Sequence, residues 1–231
     1  MVERPRGRGK RNNDVDMPRR AGALSQRDFA WAYARLDRLT PLERDCGELC
    51  SRMCCHGLEK KAGMYLFPGE EVMLPAEVDW FRLDWHLTSE REFCPMWEGK
   101  IEAAGFLRCK GSCPREHRPL ACRLFPLAAV LRPPALPAVA ALPTVVAVAQ
   151  DVQGTAMDVI LDPDAAILCP LARYATMDQL DPEFVRACRE VYARLAEDPL
   201  ILEDLRWQAE RRGKDSSAPW RRLLDQQRLL E

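Results

Sequence analysis

Four cysteines lie within ten positions in the stretch DCGELCSRMCCHG, residues 45–57 of the 231-residue chain. Cys46, Cys50 and Cys54 are four residues apart, so on a helix they share a face, with neighbours about 6 Å apart along the axis. That spacing lets neighbouring thiolates bind one metal ion. Cys46 and Cys54 would be about 12 Å apart on an unbroken helix, too far to share an ion about 2.3 Å from each sulfur. The segment therefore either breaks its helix or serves two metal positions.

The directly adjacent pair Cys54 and Cys55 leads to the same conclusion. Adjacent side chains diverge, so this pair suits two neighbouring sites better than one. A second group lies in the middle of the chain, where Cys109 and Cys113 repeat the four-residue spacing and Cys122 follows nine residues later. Both groups occur in polar, glycine-rich segments, where small buried hydrophobic residues are not expected.

Proline directly follows three of the cysteines, Cys94, Cys113 and Cys169. Proline fixes the backbone just after the sulfur and removes a hydrogen-bond donor, and a Cys-Pro step also ends the ligand run of bacterial iron–sulfur proteins. Cys188, in contrast, lies on an apolar helical stripe and is interpreted as a buried core residue. The predicted metal ligands are therefore nine of the ten cysteines: Cys46, Cys50, Cys54, Cys55, Cys94, Cys109, Cys113, Cys122 and Cys169.

The thiol-rich composition is compatible with both zinc and iron as the cofactor. Neither the C-x2-C spacing of zinc knuckles nor the C-x3-C-x2-C spacing of radical enzymes occurs. Loose spacing and Cys-Pro steps favour iron, as an iron–sulfur cluster or a mononuclear ion, although soft thiolates bind zinc as well. Disulfides are the main alternative, but the N-terminal stretch lacks the apolar segment of a secretory signal.

Two histidines and two arginines are candidates for supporting roles around the sulfurs. His56 follows the double cysteine and is either a nitrogen ligand, a proton donor or a residue at the edge of the site. His117 is predicted to donate a hydrogen bond near the ligands. Arg118 and Arg123 bracket Cys122 in the stretch RPLACRLFP, and either offset the negative charge of the thiolates, anchor the loop, or grip an acidic substrate or peptide carboxylate.

The rest of the composition indicates a single ordinary domain with a tail. Residues 1–22 are basic, lack an apolar stretch and predict a disordered tail, with Met17 as an alternative translation start. The apolar run at residues 133–150 approaches the roughly 18 to 20 residues of a membrane span, but its four prolines would break a spanning helix. The formal net charge is −1, which does not favour nucleic acid as a partner. We expect a cytoplasmic protein with no membrane partner.

Helices are predicted on both sides of the cysteine-rich part. Ser25 and Asp28 form a capping box for a first helix that ends near Leu39. Pro75 suits the first position of a second helix, which would carry Phe81 and other apolar residues on one face. The chain from Cys94 to RPLACRLFP is rich in glycine and proline, which argues against long regular elements.

Strands are predicted only late in the chain, in the apolar runs TVVAVAQ and AMDVILD. Residues 181–230 are predicted to be helical, starting at Asp181-Pro182 and again at Asp198-Pro199. These elements predict an α+β fold, mostly helical, with a small β-sheet and a loop-rich, cysteine-lined metal centre. Residues 23–231 would form this single metal-binding domain.

The motifs C-x3-C-x3-CC and RPLACRLFP resemble those of the YkgJ-type cysteine-cluster family, which is described as zinc- or iron-chelating. FPGEEVML matches the PGE turn of the family, and Cys169-Pro170-Leu171 matches a late CPL motif. The resemblance covers roughly residues 44 to 175. The first run departs from the family pattern, because three residues rather than two precede the double cysteine. The family is distantly similar to the cysteine-rich part of flagellin lysine N-methylases, which carry an iron–sulfur cluster.

The resemblance implies that the nine cysteines above are ligands of iron, as an iron–sulfur cluster, or of zinc. It does not imply methylation, since the sequence has no glycine-rich nucleotide loop of the usual kind. Three functional hypotheses follow: a metalloprotein whose centre supports modification of a protein or peptide, a structural zinc-binding interaction module, and a protein that handles iron or electrons. Whether the chain is an enzyme is left open by the sequence.

Overall fold

The computed structural model describes residues 24–56, 63–75, 80–88, 97, 100–109, 113, 115–132, 146–150 and 156–214. Within them, helices and two small antiparallel sheets form an α+β fold. The predicted tail at residues 1–22, Cys94 and the predicted helical region after residue 214 lie outside the described residues. The longest described helix has 16 residues, and none in this part of the chain is long and apolar enough to cross a membrane.

Helix α1 (Gln26–Arg35) begins at the predicted capping box. The Asp28 carboxylate accepts hydrogen bonds from both the backbone N–H and the hydroxyl of Ser25, each at 2.7 Å. The helix ends at Arg35, four residues before the predicted end, and Leu36 is its C-cap. Phe29, Ala32 and Leu36 are almost fully buried in the main core.

Helices α5 (Pro182–Leu195) and α6 (Pro199–Lys214) confirm the prediction for the C-terminal part. The Asp181 carboxylate accepts a hydrogen bond from the Phe184 N–H at 2.8 Å, and Asp198 does the same for Leu200 at 2.8 Å. The apolar stripe of α5 is buried against α1 and the second sheet, and it includes the fully buried Cys188. This confirms Cys188 as a core residue.

The first sheet contains β1 (Gly63–Tyr65), β2 (Phe81–Leu87) and β3 (Ala103–Cys109), in the order β1-β3-β2, with both pairs antiparallel. The predicted helix through Phe81 is therefore wrong, because FRLDWHL is strand β2. The sequence alternates apolar and polar residues with the period of a strand, and all seven residues pair with β3. The prediction of no long element after Cys94 is also wrong, since β3 spans seven residues.

The second sheet contains β4 (Leu127–Arg132), β5 (Val146–Gln150) and β6 (Ala156–Leu161), in the order β4-β6-β5 and antiparallel throughout. Strands β5 and β6 were predicted from the sequence and are confirmed. Strand β4 was not predicted, and it continues directly from the RPLACRLFP stretch. The structure also contains three short α-helices, α2 (Met53–His56), α3 (Leu120–Leu124) and α4 (Pro170–Tyr174), and several 3₁₀ turns.

A buried carboxylate ties three segments of the chain together. Glu70 has no solvent exposure, and one of its oxygens accepts hydrogen bonds from the Tyr33 hydroxyl at 2.8 Å and the Leu120 N–H at 2.6 Å. Its other oxygen accepts from the Phe67 N–H at 3.0 Å. Glu70 therefore connects α1, the PGE turn and the start of α3. The turn itself needs Gly69, whose φ of 96° lies in the left-handed region.

We expect Glu70→Gln to lower the free energy of unfolding by about 2–3 kcal/mol. Glutamine has an NH₂ group in place of one carboxylate oxygen, and this donor would face a buried N–H or O–H donor with no acceptor between them. Urea unfolding monitored by circular dichroism measures this change. Glu71→Gln is the matched control. Glu71 is only partly buried and accepts one bond, from the Gly69 N–H at 3.0 Å, so its loss should cost about 1 kcal/mol or less. Equal effects of the two variants would contradict the role assigned to Glu70.

Asp204 on α6 predicts a dependence of stability on pH. Burial raises the pKa of this carboxyl from its ordinary 3.8 to about 6, against a hydrogen bond from Gln208 at 2.8 Å that lowers it. The folded state therefore binds a proton more tightly than the unfolded state, and the Asp204 contribution to stability falls as the pH rises from about 4 to 6. We expect the difference in the free energy of unfolding between Asp204→Asn and wild type to change with pH. The variant should gain about 2–3 kcal/mol over wild type on going from pH 4 to pH 7. Urea midpoints at the two pH values test this, and a pH-independent difference between the two proteins would refute it.

Candidate metal centre

One cavity collects thiols from two segments that are more than one hundred residues apart in sequence. Its volume is about 30 Å³, above the roughly 10–15 Å³ that one water molecule requires. Four cysteines, here called the first set, line the cavity together with an apolar wall. The first set is Cys46, Cys50, Cys54 and Cys169, and the wall consists of Leu49, Phe125, Leu168, Pro170 and Leu171.

The backbone of the first segment explains how its three cysteines reach one cavity. Ser51 and Arg52 both have left-handed backbone angles, with φ of 50° and 57°, so no continuous helix joins Cys46 to Cys54. A short 3₁₀ turn at Cys46–Glu48 precedes this break, capped by the Asp45 side chain, and α2 follows it. The helix break expected from the four-residue spacing is therefore present.

Cys169 enters the cavity from the other segment. It immediately precedes α4 and is buried, with Pro170 at the first helical position. The N–H groups of Leu171 and Ala172 lower the pKa of the Cys169 thiol, but burial raises it by more. The Cys-Pro step thus sets the thiol at the start of a short helix whose next residues form the cavity wall.

A second set of four cysteines lies next to the first: Cys55, Cys109, Cys113 and Cys122. Cys109 ends β3, on the same face as Leu107, which pairs with Met64 on β1. The Cys122 thiol donates to the Met64 sulfur at 3.3 Å, so Cys122 on α3 lies against that same sheet face. Burial and the neighbouring Cys109, Cys113 and Cys55 raise the pKa of Cys122 well above its ordinary value.

Cys54 and Cys55 connect the two sets. Their side chains are hydrogen-bonded to each other, and this bond, followed by burial and the neighbouring Cys55 and Cys122, raises the pKa of Cys54. Cys54 lines the cavity of the first set, whereas Cys55 acts electrostatically on Cys109, Cys113 and Cys122. Adjacent residues therefore contribute one thiol to each set.

The thiols are gathered but do not form a closed ligand shell in this structure. In the part of the chain that the structure describes, no three Cys, His, Asp or Glu side chains come close enough together to hold a metal ion. The nine described cysteines are free thiols, with no disulfide among them. Burial raises the pKa of Cys46 and Cys109 to about 11 each, so these groups are neutral near pH 7. Neutral thiols have no charge to draw them around a common centre, whereas a soft metal ion deprotonates and attracts them.

The two arginines of RPLACRLFP have different surroundings. Arg118 is hydrogen-bonded to Cys113 and lowers the pKa of Cys113, Cys122 and Cys46, so its charge acts on both sets. The Arg123 guanidinium instead donates to the carbonyl oxygens of Arg118 at 2.7 Å and Glu116 at 2.6 Å, and lies 4.6 Å from the centre of the Tyr33 ring. Arg118 therefore lies where its charge would stabilise thiolates, and Arg123 holds the backbone of the loop before α3.

The two histidines whose side chains the structure describes, His86 and His117, contact aromatic side chains. The His117 ring stacks on Trp80 at a centroid distance of 6.2 Å. His56 ends α2, and its side chain is not described. His86 is hydrogen-bonded to Tyr65 at 2.9 Å on the first sheet.

Sequence reasoning missed the apolar wall of the cavity and the thioether of Met64. A signal for the wall was present, because Phe125 and Leu171 belong to the motifs CRLFP and CPL. No local pattern marks Met64, which meets Cys122 only through the pairing of β1 with β3.

No family model, curated protein or solved structure matches the chain. Membership of the YkgJ-type cysteine-cluster family therefore stays a prediction.

We expect Arg118→Gln to slow alkylation of Cys113 severalfold in the reduced, metal-free protein at pH 8, because the guanidinium stabilises the Cys113 thiolate. Iodoacetamide labelling followed by peptide mass spectrometry measures this rate. Arg82→Gln removes a charge from an exposed side chain on the first sheet and should leave the rate unchanged. An unchanged rate in Arg118→Gln would show that the Arg118 charge does not reach Cys113.

Proposed function

We propose that this chain is a metal-binding protein that holds iron, as an iron–sulfur cluster or as single ions, or zinc through its clustered cysteines. The observation that carries the proposal is the cavity lined by Cys46, Cys50, Cys54 and Cys169. A donor set made only of thiols is suited to soft or borderline metals and not to magnesium or calcium.

The arrangement of charge supports the same proposal. Four thiolates around a divalent ion leave a net charge of −2, which a nearby cation stabilises. Arg118 lies where its charge acts on thiols of both sets. A guanidinium bonded to a thiol is of little use to neutral, purely structural cysteines, but it is expected beside metal thiolates.

The proposed compartment is the reducing cytoplasm, where nine free thiols remain available to metal. The proposed partner is the metal ion or cluster itself, and a protein or peptide is the substrate class that the family resemblance implies. A structural zinc module is the second candidate. The volume of the cavity, about 30 Å³, favours the structural zinc module, because that volume suits a single ion. An all-cysteine ligand set also leaves a zinc ion no open position for catalysis.

Purification without oxygen, followed by absorbance and analysis of iron, zinc and sulfide, tests this proposal. Iron with visible charge-transfer bands would support a centre capable of chemistry, and stoichiometric zinc in a colourless protein would support the structural module. Redox handling without catalysis would give reversible bleaching of the bands and no change in any peptide substrate.

We expect Cys54→Ser to reduce the bound metal by at least half, because Cys54 lines the cavity and contacts Cys55. Metal analysis of the purified variant checks this. Cys188→Ser is the control and should retain the full metal content, since Cys188 is buried in the main core. Full retention by both variants, or absence of metal from the wild-type protein, would contradict the proposed function.

A further inference from the structure

We propose that two copies of this chain associate through the free edge of the first sheet. Strand β2 of one copy would pair antiparallel with β2 of the other, around a two-fold axis that passes through Leu83. The two three-stranded sheets would then join into one continuous sheet. This inference goes beyond the proposed metal binding and does not depend on it.

Strand β2 is the longer edge of the first sheet. It lies at the end of the order β1-β3-β2, all seven of its residues pair with β3, and no other described strand pairs with it. The N–H and C=O groups that point away from β3 are a template for another strand. Natural edge strands usually prevent such pairing by being short, by bulging or by carrying proline. The register of β2 with β3 is unbroken and FRLDWHL has no proline, whereas β1 at the opposite edge has only three residues.

The charges of β2 are self-complementary in this arrangement. Around a two-fold axis at Leu83, Arg82 of each copy lies directly opposite Asp84 of the other, which gives two pairs of opposite charge. The Arg82 side chain is exposed, and its Nε atom lies 2.7 Å from the Asp84 carboxylate of its own chain. The guanidinium is therefore already on the strand face where the second carboxylate would arrive. Opposite charges directly across two strands stabilise their pairing, and like charges destabilise it.

Other positions of the axis lose this complementarity. Directly opposite residues of an antiparallel pair share a sheet face, so the axis must pass through a residue and not between two. An axis at Asp84 would place that carboxylate opposite its own copy. An axis at Trp85 would place Arg82 opposite Thr88, which carries no charge. The order of charges along β2 therefore selects the axis at Leu83.

The opposite face of β2 is apolar and matches the same axis. Phe81, Leu83 and Trp85 alternate with the charged residues, so Phe81 of each copy would lie opposite Trp85 of the other, and Leu83 opposite Leu83. Trp85 is 37% exposed at the sheet edge, although it is a large apolar side chain. Pairing would cover it against an aromatic ring, and such cross-strand aromatic pairs stabilise antiparallel strands. Charge and apolar contact therefore favour the same partner, a second copy of this chain.

Sedimentation velocity of the wild-type protein tests for the association itself. We expect a reversible equilibrium between monomer and dimer across concentrations from about 5 to 500 µM, because an interface of one strand pair is small and weak. A reducing agent is kept in the buffer, so that exposed thiols such as Cys54 cannot link two copies covalently. A wild-type protein that stays monomeric up to the highest concentration overturns the inference.

Hydrogen exchange measured by mass spectrometry locates the interface without any variant. Peptides that cover residues 81–87 should exchange more slowly at high protein concentration than at low concentration, because their outward N–H groups become hydrogen-bonded to the second copy. Peptides from α5, which is buried in the main core, should exchange at the same rate at both concentrations. Protection that rises elsewhere but not in β2 would place the contact on another surface and overturn the inference.

Charge variants test the axis at Leu83. Arg82→Asp and Asp84→Arg each turn the two opposite-charge pairs into like-charge pairs, so each variant alone should dimerise about tenfold more weakly than wild type. An equal mixture of the two variants restores two opposite-charge pairs between unlike chains, and should form a mixed dimer about tenfold more tightly than either variant alone. Arg27→Asp makes the same change of charge at an exposed arginine at the start of α1, and should dimerise as wild type does. A mixture that associates no more tightly than its components overturns the inference.

Discussion

The placement of the cysteine-bearing segments depends on one buried carboxylate. Removing Glu70 from water is costly, and the cost is offset only because three donors from three segments converge on its two oxygens. Those donors belong to α1, to the PGE turn and to the first residue of α3. The position of α3 determines where Cys122 and Phe125 lie, so both cysteine sets depend on this contact. Arg123 strengthens the arrangement by donating hydrogen bonds to the carbonyl oxygens of Arg118 and Glu116 in the loop before α3.

A second constraint is electrostatic. Burial favours the neutral form of the thiols, and each thiol also disfavours ionisation of its neighbours. Bringing eight thiolates together is therefore possible only when positive charge accompanies them. Arg118 supplies one such charge between the sets. Under the proposed function, metal ions would supply the rest.

Local signals in the sequence predicted part of this structure, and nonlocal pairing determined the remainder. The capping box at Ser25 and the helix start at Asp181 were found because each signal lies within four residues. Strand β2 was misread because the spacing from Phe81 to Trp85 satisfies a helical period as well as strand alternation, and only the pairing with β3 decides between them. The cysteines themselves were identified by type and spacing. The Cys54–Cys55 pair indicated two neighbouring sites, but which cysteines belong to each set could not be predicted, because that depends on the left-handed break at residues 51–52 and on which sheet face receives Cys109.

The two sets differ in the exposure of their cysteines: the first set ranges from the exposed Cys54 to the buried Cys169, whereas all four cysteines of the second set are partly buried. Two large side chains near other cysteines of the first set are also exposed: Leu49, directly before Cys50, is 57% exposed, and Tyr174, after Cys169, is 72% exposed. The second set lies between α3 and the first sheet, with Arg118 bonded to Cys113 and Met64 against Cys122. Under the proposed function, an external ligand or electron donor would reach a metal held by the first set from the side of the exposed Cys54. Under the proposed function, a metal held by the second set would lie near the Arg118 guanidinium, whose charge would offset that of the thiolates.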